Sequence, residues 1–398
     1  MKKTFLLLSM LCLGALATAQ TTLFHTGDES GYPYRIPAIA KAKNGDLIAL
    51  TDRRPCGNDI GYGRVDILMR VSKDNGRTWS EAENVLVGTG QGATTGFGDA
   101  CLVAASNRNE LTLVCCAGDV PYWSNTVDHH QGIMVTHAKY DKRTQRWVWG
   151  ETKDVSEHFY RELLGSRVPG MFMGSGRICQ SKRVKVGKYY RLYAAMCTHK
   201  GNWVVYSDDF GDTWNILGSA TESCAPQGDE PKCEELPDGS VLLSSRKHFG
   251  RYFNLFKFSD LKRAEGAWTG VVDSKESEGG IANEGNSCNG EILIVKARRA
   301  KDGKKATLAL QSMPAGPGRS HVTIYYKDIT NPLTYTSAAA FASHWDGSYR
   351  VSERGSAYST MVQQADGRIA FLYEEEPGYY QIVYLPLSIS MLTGGAYK

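Results

Sequence analysis

Ser72-Lys73-Asp74-Asn75-Gly76-Arg77-Thr78-Trp79 and Ser207-Asp208-Asp209-Phe210-Gly211-Asp212-Thr213-Trp214 are two copies of one eight-residue pattern, Ser-x-Asp-x-Gly-x-Thr-Trp. Asp, Gly and Ser are turn formers, and the closing Trp is large enough to plug an apolar gap, so each copy reads as a hairpin corner pinned by its own Asp and Trp. Five shared positions in eight mark a repeat protein, and the repeat is β.

Six further stretches share one grammar, a turn dipeptide followed by an apolar, β-branched run. They are Asn44-Gly45 before Leu47–Leu50, Arg108-Asn109 before Leu111–Val114, and Val186-Gly187 before Tyr189–Ala195. Asp238-Gly239 precedes Val241–Leu243, Asn289-Gly290 precedes Ile292–Val295, and Asp366-Gly367 precedes Ile369–Leu372. Each is a hairpin signal. Glu157–Leu164 is at most a short helix. Six hairpins over roughly 375 residues leave about sixty residues per unit, enough for a four-stranded blade. The expected fold is all-β, a single six-bladed β-propeller of four-stranded antiparallel blades over residues 20–398. Radial closure hides the sheet edges of so large a β-chain. A pair of β-sandwiches is the competing architecture, but no Pro-, Ser- or Gly-rich linker divides the chain.

Residues 1–19 read as a secretory leader. Lys2 and Lys3 are basic, Phe5–Leu16 is largely apolar, and Ala17-Thr18-Ala19 is an A-x-A cleavage site. The apolar run is too short to span a bilayer, and Cys12 lacks the small residues of a lipoprotein signal. The expectation is export to the periplasm or the extracellular space without membrane insertion. Loss of the two lysines brings the formal charge from +4 to +2, which argues against nucleic acid as a partner. Cleavage leaves nine cysteines with no C-x-x-C pair, so neither zinc nor a regular disulfide framework is indicated. Cys224 with Cys233 is a candidate pair, against buried free thiols. His129-His130 reads as a polar loop and not as a metal site, since neighbours on a strand face opposite ways.

Together with the octapeptides, Tyr34-Arg35-Ile36-Pro37 makes the chain resemble the exo-α-sialidases (neuraminidases), which combine an Arg-Ile-Pro motif with such Asp boxes. The resemblance runs from Tyr34 to about Leu387, and it implies three arginines from separate blades gripping the carboxylate of a sialic acid. A planar guanidinium fork suits a carboxylate and keeps its charge. The matching residues are Arg35, Arg246 at the end of Val241-Leu242-Leu243-Ser244-Ser245-Arg246, and Arg319 in Gly318-Arg319-Ser320-His321-Val322-Thr323. The family's tyrosine nucleophile matches Tyr358 in Gly355-Ser356-Ala357-Tyr358-Ser359, with Glu230 as its general base. A neutral nucleophile avoids bringing one carboxylate against another, and the arginines favour phenolate.

In Thr51-Asp52-Arg53-Arg54-Pro55-Cys56-Gly57-Asn58-Asp59, the register matches Arg54 to an auxiliary arginine and Asp59 to the general acid; Asp52 is the substitute. Asp99 matches an aspartate near the sugar's 4-hydroxyl, and Glu374 the glutamate that buttresses the first arginine. Tyr326–Thr330 and Ser259-Asp260-Leu261 look like decayed boxes. Ala117–His130 follows no family pattern and is placed to shape the aglycone side. The implied activity is retaining hydrolysis of terminal sialic acid from glycans or glycoproteins through a tyrosyl intermediate, by a monomer, with no metal or other cofactor. The alternatives are a sialic-acid-binding propeller without catalysis, and an intramolecular or trans-sialidase using the same site.

Overall fold

The computed structural model of the chain describes residues 20–28, 30–285, 288–377 and 380–398. The expected leader, 1–19, lies outside the described residues. Six sheets, antiparallel but for one short strand, follow one another along the chain and form a six-bladed β-propeller. The innermost strands are Tyr34–Lys41, Phe97–Ala104, Cys179–Val186, Pro231–Glu235, Ile292–Arg298 and Ser356–Gln363, which begin blades I to VI. Blade VI takes its outermost strand, Thr21–Phe24, from ahead of blade I, so the ring closes through hydrogen bonds between Thr21–Phe24 and Ile382–Tyr384. Blades II, III and IV carry short extra strands beyond the expected four; Gly176–Arg177, for example, pairs in parallel with Cys101–Leu102.

The apolar runs lack the simple alternation of a half-buried sheet because each blade is covered on both faces. Leu242 packs toward blade V, while its neighbours Val241 and Leu243 pack toward blade III. Likewise Ile48 and Leu50 meet blade II, and Leu47 and Ala49 meet blade VI. Successive strand residues point to opposite faces, so a continuous apolar run fills two interfaces at once.

The two octapeptides adopt one conformation. Asp74 accepts from Ser72 Oγ at 2.9 Å, from the Thr78 amide at 2.8 Å and from Thr78 Oγ1 at 2.6 Å. Asp209 repeats these contacts with Ser207 and Thr213. Both corners also strap their blade to the preceding one: Trp79 packs on Tyr384 at 5.1 Å, and Thr112 Oγ1 donates to Phe210 O at 2.7 Å. Asp260 and Asp328 sit at the equivalent corners of blades IV and V. Asp141 does so in blade II, at a corner whose sequence lacks the glycine of the octapeptide.

Two expectations need correction. Asn289-Gly290 is not a hairpin turn. It leads into the first strand of blade V, where a Cβ on Gly290 would lie 1.8 Å from Ser312 O, so the glycine serves close approach of two backbones. The hairpin of that blade turns at Asp302-Gly303, where Gly303 has φ +68°. Second, Cys224 and Cys233 are not bonded. All nine described cysteines are free, and Cys224 Sγ donates instead to Asn202 O at 3.2 Å. The segment His158–Leu163 forms a short helical stretch, within the expected one. His129 bonds Asp119 at 2.8 Å and His130 stacks on Tyr160, in keeping with a loop.

Candidate active site

First strands begin, and second strands end, at one face of the ring. A cavity of about 360 Å³ opens there, lined by Arg35, Arg54, Asp59, Asp99, Glu230, Arg246, Arg319 and Tyr358. Eight of the nine residues singled out in the sequence thus converge from five blades. The ninth, Glu374, does not line the cavity; it lies wholly buried behind it.

Local backbone irregularities aim these side chains. The first strands of blades I, II and VI each slip register beside a site residue, between Arg35 and Ala38, Gly98 and Cys101, and Ser356 and Ser359. A bulge turns a side chain off the sheet normal and onto the mouth of the ring. Ile36 and Asp99 adopt φ +58° and +53°, strained values for a β-branched and a carboxylate residue. Pro37 is tolerated because an innermost strand is a sheet edge. Glu374 holds this geometry. Its Oε1 accepts from Arg35 Nε at 2.8 Å and from the Ile36 amide at 2.7 Å, and its Oε2 accepts from the Tyr358 amide at 3.1 Å.

At the floor, the Tyr358 hydroxyl donates to Glu230 Oε1. Arg246 Nη1 grips Glu230 Oε2 at 2.7 Å and lies 3.5 Å from the same hydroxyl. Arg246 Nε also meets Asp229 at 3.2 Å. The guanidinium carbons of Arg35 and Arg319 each stand 5.5 Å from the centre of the Tyr358 ring. Among the described residues Arg319 makes no ion pair, which leaves its charge facing the cavity. Burial, followed by the charge of Glu230, pushes the Tyr358 hydroxyl well above the usual phenol range, although Arg246 and Arg319 pull it down. The arginines therefore do not make phenolate in the free protein. Tyr358 is a neutral phenol with a carboxylate in place to take its proton.

Opposite, Arg54 Nη2 bridges Asp59 at 3.0 Å and Asp52 at 3.2 Å. Asp59 stands on a loop with its side chain 58% exposed, whereas Asp52 is wholly buried and does not reach the cavity. Of Asp59 and its substitute Asp52, only Asp59 lines the cavity. Burial, reinforced by Asp59 and opposed by Arg54, raises the Asp52 carboxyl to about 7. Burial and the charges of Asp59 and Asp52 also push Asp99 well above the carboxylate range.

The rim carries residues that had no motif to reveal them. Trp123 is 80% exposed and stacks on His199 with 5.5 Å between ring centres, while Tyr122 braces both. Tyr380 lies under Arg35 at 5.0 Å. Trp123 belongs to the Ala117–His130 segment, of which Pro121, Tyr122 and Trp123 line the cavity.

No protein-family model matches the chain. Among curated proteins it is similar to the sialidase of Micromonospora viridifaciens, 27% identical over 401 residues, covering 92% of this chain and 53% of that protein. It is 23% identical over 375 residues to the sialidase of Paraclostridium sordellii, covering 89% and 85% of the two chains. The chain thus spans about half the length of the Micromonospora relative. Among solved structures, a Hadza microbial sialidase aligns with a TM-score of 0.72 at 19% identity, over 94% of this chain and 69% of that one. An intramolecular trans-sialidase from Ruminococcus gnavus aligns with a TM-score of 0.69 at 16% identity, over 96% and 99%. At such identities these structures support the fold.

Proposed function

We propose that this protein is a glycoside hydrolase, a retaining exo-α-sialidase acting on terminal sialic acid of glycoconjugates. The observation that carries the reading is the neutral Tyr358 hydroxyl bonded to Glu230 within a ring of three arginines. A sugar whose anomeric carbon bears a carboxylate would set that group against Arg35, Arg246 and Arg319. The anomeric carbon would then lie over Tyr358. A carboxylate nucleophile there would face the substrate's own charge, and at about 4 Å that repulsion is on the order of 4 kcal/mol at an effective dielectric of 20. A phenol escapes it.

In the first half-reaction Tyr358 Oη bonds to the anomeric carbon, its proton passes to Glu230, and the bond to the leaving oxygen breaks as Asp59 protonates it. In the second, water attacks the same carbon, Asp59 takes its proton, and Tyr358 leaves and recovers its own proton from Glu230. Two displacements at one carbon retain configuration. Arg54 and Asp99 would hold the sugar's polar edge, and Glu374 positions Arg35 and Tyr358 without touching substrate. The catalytic steps use protein groups alone, and the reading includes export by the 1–19 leader and action as a monomer.

An NMR time course with α2,3- and α2,6-sialyllactose tests it. Release of the α-anomer of sialic acid, followed by mutarotation, is expected. A 2,7-anhydro product or transfer to lactose would replace hydrolysis by the transferase alternative. Saturable binding without turnover would leave a lectin.

A further inference from the structure

Gln131 also lines the cavity, belongs to none of the sequence motifs and has no part in the proposed reaction. At 3% exposure it is the most recessed polar residue of the lining. Its backbone is fixed. The amide donates to Asn125 Oδ1 at 2.9 Å, the carbonyl accepts from Tyr160 Oη at 3.0 Å, and the next residue, Gly132, pairs with Ala117. Its side-chain amide, by contrast, makes no hydrogen bond among the described residues and is directed into the cavity. Glu230 and Arg54, recessed in the same lining, are both paired. A carbonyl and an NH2 left unmet in a recess are costly unless a ligand meets them.

In a six-bladed ring blade II stands opposite blade V, and blade III opposite blade VI. Gln131 leads into the third strand of blade II, Gly132–Asp141, and so faces the side of Arg319, which precedes the third strand of blade V. Phe172, on a strand of blade III, faces the side of Tyr358. A pyranose held by the carboxylate on its anomeric carbon turns the opposite ring carbon, C5, toward the far wall. In a sialic acid that carbon carries the acylamino group, whose acyl terminus extends farthest from the ring and would reach the recessed amide. Phe172 and Tyr122, packed edge to face at 5.0 Å, give the same wall its apolar surface. An acetyl methyl there suits the two rings but leaves the Gln131 amide unpaired. A glycolyl hydroxyl donates to its carbonyl and accepts from its NH2, so it meets both halves at once.

Resting on the sialidase reading, we propose that Gln131 is a specificity-determining residue that makes N-glycolyl sialic acid a better substrate than the N-acetyl form.

The test compares kcat/KM on a matched pair of fluorogenic sialosides, one N-glycolyl and one N-acetyl. The wild type should favour the N-glycolyl substrate by about tenfold, the worth of one hydrogen bond gained in a recess. Gln131→Met fills a similar volume without either polar atom and should bring the ratio to about one. A glutamine with only a structural role would lower both rates together and keep the ratio, which overturns the inference. So does a wild type that turns over the two equally or prefers N-acetyl, and this measurement decides alone should the methionine variant not fold. Turnover of neither sialoside by the wild type removes the sialidase reading, and this one with it, before any variant is made.

Discussion

Glu374→Gln should separate a structural carboxylate from a positioning one. Glu374 takes three donors, two on Oε1 at 2.8 and 2.7 Å and one on Oε2 at 3.1 Å. A glutamine fits the same space, and its carbonyl can keep Arg35 Nε and the Ile36 amide. Its NH2 must then face the Tyr358 amide, donor against donor, which costs about 1–3 kcal/mol for the unpaired buried group. Losing the charge weakens the Arg35 bond by roughly half, about 1 kcal/mol more. Arg35 remains 21% exposed, so water moderates its share and the total settles near 3 kcal/mol. Ile36 holds φ +58° only while its amide is bonded, so relaxation there would swing Arg35 off the cavity. A displacement of about 1 Å at Tyr358 or Arg35 is worth on the order of a hundredfold in rate. The assay is kcat/KM at a temperature well below the melting transition, paired with urea unfolding of the same preparation. A folded variant within about threefold of wild type would refute the buttress argument.

Three other outcomes are expected. Tyr358→Phe removes the proton donated to Glu230 and should abolish steady-state turnover while an unsaturated sialic-acid analogue still binds within a fewfold; lost binding, by calorimetry, would make the tyrosine structural. Because Asp52 is held near 7 when folded, above its unfolded value, the native state binds more protons between about pH 4 and 7, and stability falls as pH rises through that window. Asp52→Asn should flatten the fall in urea midpoint between pH 5 and pH 8, and an unchanged slope would count against the assignment. Gly290→Ala drives a methyl into Ser312 O and should cost 3 kcal/mol or so in stability, whereas Gly303→Ala, in open space, should cost about 1 kcal/mol; equal losses in thermal melts would restore a turn at Gly290.

What the chain spelled out and what it concealed follow from the range of the interactions. The octapeptide corners were legible because Asp74 and Asp209 satisfy their partners within four residues. Turn dipeptides were legible for the same reason, except at Gly290, where the demand for a missing Cβ comes from Ser312, across the sheet. The site residues could be matched through their short flanking motifs, and eight of nine reach one cavity. The bulges that aim them could not, since register is a property of two strands. Ile36, β-branched, is among the last residues one would assign a positive φ. Tyr380 had no flanking pattern, and its position matters only once Arg35 stands beside it.

A ring closed by repetition has one seam where the chain must bridge from last blade to first, here the pairing of Thr21–Phe24 with Ile382–Tyr384. The candidate clamp and nucleophile lie on either side of it, Arg35 in blade I and Tyr358 in blade VI. Glu374 is the carboxylate that crosses it, binding the first on one oxygen and the second on the other. Gln20 adds a bond to Glu375 at 2.8 Å on the same side of the ring. Parting of blades I and VI would therefore separate the arginine from the tyrosine. Conversely, a ligand bound to both draws the seam shut and stabilises the whole ring by its binding energy. The junction of blades VI and I and the candidate reactive centre are thus one place, and the carboxylate that bridges the two blades is also the one that holds the candidate clamp and nucleophile in register.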